Sequence, residues 1–283
     1  MTLTHSRKKA MSYHHQSKYL LSAIVLLGAP LFSSPLNAAP LSVWDSSWTQ
    51  FANDDGYTSN GYVNPGWGGQ AFDAEYLYYK RTGNTLSIGL QTGFDLSDGR
   101  QQYGSDWYFA GDLALSFDGD TSGSGGSGYE YGVDFGLLTK DYSAHHKALG
   151  DATGRVDMGS GTGIDPAGLY RNVGWNNGVY SHFHVSDPFA MDAGTLVTGA
   201  GFSQSTGSGM AGGETSYYRS VSFNLTALGL DLTQPIDLDA HWTMSCGNDA
   251  IDGHASVPEP GALILMASGL FGLVGIRRLR RKA

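Results

Sequence analysis

Apolar and polar residues alternate with period two over 85–90 (Thr-Leu-Ser-Ile-Gly-Leu), 112–117 (Asp-Leu-Ala-Leu-Ser-Phe) and 220–225 (Ser-Val-Ser-Phe-Asn-Leu). Alternation of this kind places every apolar side chain on one face of an extended chain, so it predicts three half-buried strands. Further strands are predicted at 129–138, 178–185, 195–202 and 236–244, separated by Gly, Asn, Asp and Ser clusters that favour turns. Residues 71–81 fit either a short helix or a strand. Between the two terminal segments no stretch sustains an apolar stripe at helical period. About seven to ten strands at this spacing predict an all-β body, a single two-sheet β-sandwich of jelly-roll type, in which inward and outward residues alternate.

Two longer apolar stretches lie at the ends. Arg7, Lys8, Lys9 and Lys18 precede an apolar run over 19–32, and Leu36-Asn37-Ala38-Ala39 offers small residues for cleavage. This is the layout of an export signal, predicted as a signal helix within a signal peptide at 1–38 that signal peptidase removes. The body then spans 39–257. At the other end Pro258-Glu259-Pro260 is followed by sixteen uncharged residues, 261–276, and by Arg277, Arg278, Arg280, Arg281 and Lys282. A helix of that length reaches roughly 24 Å, short of the ~30 Å hydrocarbon core of a bilayer, and the cationic cluster holds its end on the cytoplasmic side. The two prolines keep the segment around Glu259 extended and poor in backbone donors, a form suited to a protease. Residues 258–283 thus predict a transmembrane helix with a stem that is to be cut.

Charge sharpens this division. The whole chain carries 17 Lys and Arg against 26 Asp and Glu. Without the nine cations of the two ends and without Glu259, the body keeps eight cations against twenty-five acids, near −17. So acidic a surface repels nucleic acid and attracts divalent cations. The single cysteine, Cys246, excludes an intramolecular disulfide, so stability must come from the core or from metal.

Candidate chemistry is sparse. Asp118-Gly119-Asp120-Thr121-Ser122-Gly123 opens like a calcium loop, with oxygen donors Asp118, Asp120 and Ser122 at positions one, three and five. Position twelve is Tyr129, Glu130 follows one later, and strands flank the loop, so a helix-loop-helix module is excluded. Asn53-Asp54-Asp55-Gly56 and Asn248-Asp249 with Asp252 are acidic turns near the two ends of the body that could share one cation if the ends meet. His182 and His184 alternate on a predicted strand, with His145 and His146 in a loop; together they would make a zinc site only if the fold joined them. Trp67 and Trp175 are the tryptophans predicted to reach the surface as sugar platforms. No Gly-x-Ser-x-Gly elbow, His-Glu-x-x-His pair or phosphate-binding glycine loop occurs, so no catalytic residue is expected, and no cofactor beyond calcium.

The tail, with Pro-Glu-Pro, a short apolar span and an Arg cluster in that order, resembles the PEP-CTERM sorting signal of Gram-negative bacteria. The resemblance implies transient processing by exosortase, a membrane protease-transpeptidase, and delivery from an inner-membrane-anchored precursor to the cell surface or extracellular matrix. His241-Trp242-Thr243-Met244-Ser245-Cys246-Gly247-Asn248-Asp249 is similar to a closing motif of exosortase-dependent surface proteins. Read physically, Trp242, Met244 and Cys246 point inward and Thr243 and Ser245 outward. The expected role is structural or adhesive. A carbohydrate-binding module for exopolysaccharide is the first rival, and a secreted hydrolase with paired carboxylates the second.

Overall fold

The computed structural model describes residues 39–55, 68–122, 126–139, 164–176, 187–259 and 261. The expected signal helix, the membrane helix, the strand at 178–185, Trp67, and His145, His146, His182 and His184 lie outside them. Among the described residues no helix is long and apolar enough to cross a membrane.

Thirteen strands are described: β1 (Thr49–Asn53), β2 (Ala74–Thr82), β3 (Thr85–Thr92), β4 (Arg100–Tyr103), β5 (Asp106–Phe109), β6 (Leu113–Ser116), β7 (Tyr131–Asp134), β8 (Gly168–Asn176), β9 (Ala190–Leu196), β10 (Ser203–Ala211), β11 (Glu214–Asn224), β12 (Ile236–Thr243) and β13 (Ala250–Val257). They form antiparallel sheets. One has the order β1-β2-β3-β11-β10, a second β13-β12-β6-β7-β8-β9, and β4-β5 is a separate hairpin. Each large sheet is a meander extended by a later hairpin: β10-β11 returns to lie beside β3, and β12-β13 to lie beside β6.

Period-two patterning builds the core. Leu86, Ile88 and Leu90 of β3 and Val221 and Phe223 of β11 face Leu113 and Leu115 of β6 and Leu238, Ala240 and Trp242 of β12 in one continuous apolar cluster. Trp242 is fully buried, meets Phe94 edge-on at 6.1 Å between ring centres, and donates its indole N–H to the Gly111 carbonyl at 3.1 Å. Burying that ring with its single donor satisfied is what makes it a favourable core residue.

One sequence expectation is corrected and one left open is resolved. Residues 195–202 are not one strand: β9 ends at Leu196, and a turn with positive φ at Gly199 and Gly201 precedes β10. Residues 71–81 are mostly β2, preceded by a short 3-10 turn at Gln70–Phe72. Strand β2 lacks clean alternation because both its faces are covered. Its outward Tyr78 stacks on Trp44 of the N-terminal segment at 4.6 Å. That segment lies so close to the sheet that a Cβ at Gly89 would come within 2.4 Å of the Trp44 ring, and glycine there is what admits it.

Candidate functional site

Strand β12 spans about 25 Å, so the two ends of the sheets are separate environments. The end where β13 finishes carries the exit of the tail. Arg81, last but one in β2, donates from Nη1 to the Pro258 carbonyl at 2.8 Å and from Nε to the Gly83 carbonyl of the β2–β3 turn at 3.2 Å. The first residue of the Pro-Glu-Pro segment is therefore bound to the body, and Glu259 lies within the electrostatic reach of the same guanidinium. No free linker separates the last strand from the segment to be cut.

The opposite end holds a group of buried acids. Glu75 is fully buried and fully bonded: Gln91 donates to Oε2 at 2.6 Å, while Gln70 and Ser216 donate to Oε1 at 2.6 and 2.8 Å. Burial outweighs those bonds and pushes its carboxyl up to about 7. Gln91 also ties the start of the body in place, donating to the Ala39 carbonyl and accepting from the Leu41 N–H, both at 2.9 Å. Asp249 accepts from the Ala74 N–H at 2.7 Å and from the Ala250 N–H at 3.0 Å, joining the start of β2 to the start of β13 across 175 residues. Asp73 is also fully buried, and among the described residues no ion pair reaches it. Burial and then the neighbouring Glu75 charge push its carboxyl up to about 8, and burial holds that of Asp249 well above the carboxylate range.

The sequence motif at 242–249 explains how Asp249 arrives there. Gly247, at positive φ, closes a tight turn by donating its N–H to the Met244 carbonyl at 2.8 Å, and the chain then enters β13. Thr243 and Ser245 were expected to face outward and are instead buried: Thr243 donates to the Asp249 carbonyl at 2.6 Å, and the Ser245 hydroxyl accepts the Phe109 N–H at 3.0 Å. Cys246 is buried as expected, and burial pushes its thiol up to about 12, which makes it an inert apolar side chain.

The predicted calcium-loop residues form a turn that satisfies itself. Asp118 Oδ1 accepts from the Asp120 N–H at 2.9 Å and from Ser116 at 3.0 Å, and Asp120 accepts the N–H and the hydroxyl of Ser122. Glu130, which follows the position a calcium loop would use, lies within hydrogen-bonding reach of the Asp118 carboxyl. Trp175 is corrected: it is 8% exposed, lies with Met191 and Tyr170 on the outer face of the second sheet, and donates to the Tyr129 carbonyl at 3.0 Å. It is no open platform.

That outer face carries an arrangement the sequence did not disclose. In β12 and β13, Asp239 stands opposite His254 and His241 opposite Asp252, and both His–Asp pairs close at 2.8 Å. Asp239, Asp252 and His254, with Tyr129 and Thr121, border an open depression of about 290 Å³, and His241 lies buried beneath Asp252. Its sequence trace is the Asp-x-His spacing at 239/241 and 252/254, which pairs up only in the register of β12 and β13.

A β-rich body whose last described strand passes straight into Pro258, itself held by Arg81, has the form of a domain joined directly to a sorting tail. Residues 256–281 match the PEP-CTERM protein-sorting motif. The chain thus carries an exosortase-directed sorting signal, which implies export and a membrane-anchored precursor. No curated protein matches the chain. No solved structure matches it either.

Proposed function

We propose that the protein is a surface-displayed structural or adhesive module, without catalysis of its own, that exosortase severs from its tail near Pro258. The sorting motif at 256–281, starting inside β13 with no linker, carries this reading. A domain joined so closely to its cutting point is suited to being handed over whole. Mass spectrometry of the C-terminus of the cell-surface protein tests it. The reading expects chains ending near Pro258 in cells with exosortase and chains that retain the Arg277–Lys282 cluster in cells without; retention of that cluster in both would refute it.

A second reading, binding of exopolysaccharide, is favoured by the depression beside Tyr129, where Asp239, Asp252 and His254 offer polar groups next to an aromatic ring. Sugar hydroxyls suit carboxylate acceptors of this kind. Retardation in a polysaccharide gel, lost in Asp239→Asn, would support it, and equal mobility with and without the polysaccharide would remove it.

A further inference from the structure

We propose that Asp73 and Asp249, at the end of the sheets opposite the tail, together hold a divalent cation of the calcium type. The observation is a pairing that does not satisfy itself. Asp73 is fully buried, yet among the described residues no backbone or side-chain donor reaches either of its carboxyl oxygens. The group it meets is the Asp249 carboxyl, which can satisfy it only if a proton or a cation sits between the two.

Asp249 cannot turn away. Its two oxygens are fixed by the Ala74 and Ala250 N–H groups, so its remaining lone pairs stay directed into the site. Asp54 and Asp55 add negative charge around the pair, and among the described residues no Lys or Arg forms an ion pair with Asp73 or Asp249 to offset it. A donor set made only of oxygen selects hard cations over zinc or copper. Among the described residues no three acidic or histidine side chains converge tightly enough to enclose an ion. The site is therefore one of two carboxylates, with backbone carbonyls and water completing the shell, as six- to eight-coordinate calcium accepts. Of the acidic residues expected to share a cation, Asp54 and Asp249 do come within electrostatic reach of each other and of Asp73, whereas Asp252 is bonded to His241 on the outer face of the second sheet.

The test uses the full chain in detergent, stripped with chelator. Terbium is the probe, because Tyr76 donates to Asp55 at 2.8 Å and stands close enough to sensitise its emission. The proposal expects tyrosine-excited terbium emission that saturates and is displaced by calcium, together with a melting temperature that rises with millimolar calcium. Asp73→Asn, which mimics the protonated acid and so preserves the fold, should weaken terbium binding at least tenfold. Asp118→Asn/Asp120→Asn should leave it unchanged. Calcium-insensitive emission with equal melting in calcium and chelator would overturn the proposal, leaving a shared proton as the sole bond. So would loss of the response in the Asp118/Asp120 variant with retention in Asp73→Asn.

Discussion

Arg81 Nη1 and the Pro258 carbonyl lie 2.8 Å apart although 177 residues separate them in sequence. A side chain at the end of the second strand thereby fixes the first residue of the sorting stem. Arg81→Ala removes this bond and the one to Gly83, at a cost of about 1–2 kcal/mol. For a body of this size that lowers the melting temperature by a few degrees. Limited proteolysis should show the larger effect, with cleavage around Pro258 appearing at protease concentrations that leave the parent intact.

The buried acids make stability fall as pH rises. Burial pushes the carboxyl of Asp73 up to about 8 and that of Glu75 up to about 7 in the folded protein, against ordinary carboxyl values near 4 when unfolded. Between those limits the folded state binds more protons than the unfolded one, so unfolding free energy declines with pH. In chelator, denaturant midpoints should therefore decrease from about pH 5 to pH 8. Asp73→Asn, neutral at every pH, should flatten part of that slope and be the more stable protein at pH 8; parallel curves for the two proteins would count against it.

Cys246 should behave as a core atom. With 3% exposure and its thiol pushed up to about 12, it is predicted not to react with a disulfide reagent at pH 8 in native buffer and to react once per chain in guanidinium. Reaction within minutes in native buffer would show the turn at 244–247 to open.

Trp242 joins both sheets and has no exposed atom to spare. Trp242→Ala should cost about 3–5 kcal/mol, from lost burial and the cavity left behind. The denaturation midpoint measures this directly, and a change under 1 kcal/mol would mean that the core refills the space.

Much of this fold was legible in the alternating segments. Strands β3, β6, β11 and β12 each have one face in the common core, and their sequences say so. Strand β2 was ambiguous because Trp44 covers the outward side of Tyr78, erasing the polar half of the pattern. The run at 195–202 has strand-like composition, yet Gly199 and Gly201 adopt positive φ, a conformation that only the surrounding turn specifies. Of the sites, the sorting stem is contiguous and was read directly. The acid pair was not: Asp73 and Asp249 both sit in turn-like contexts where aspartate is ordinary, and only the antiparallel return of β13 beside the β1–β2 edge makes them neighbours. Trp175 misled because its glycine-rich surroundings suggest exposure. Gly132 is in fact the gap that lets it lie down, since a Cβ there would fall 2.3 Å from Met191 and 3.0 Å from the Trp175 ring.

The attachment of Ala39 to Gln91 gives the molecule a direction. Residues from Ala39 are held at the pole carrying the acids, while Pro258 is held at the other, so anything that secures the stem to an envelope turns the carboxylate pole towards the medium. In a displayed chain made to start with a peptide epitope joined to Ala39, the epitope would face the medium, readable by antibody on intact cells.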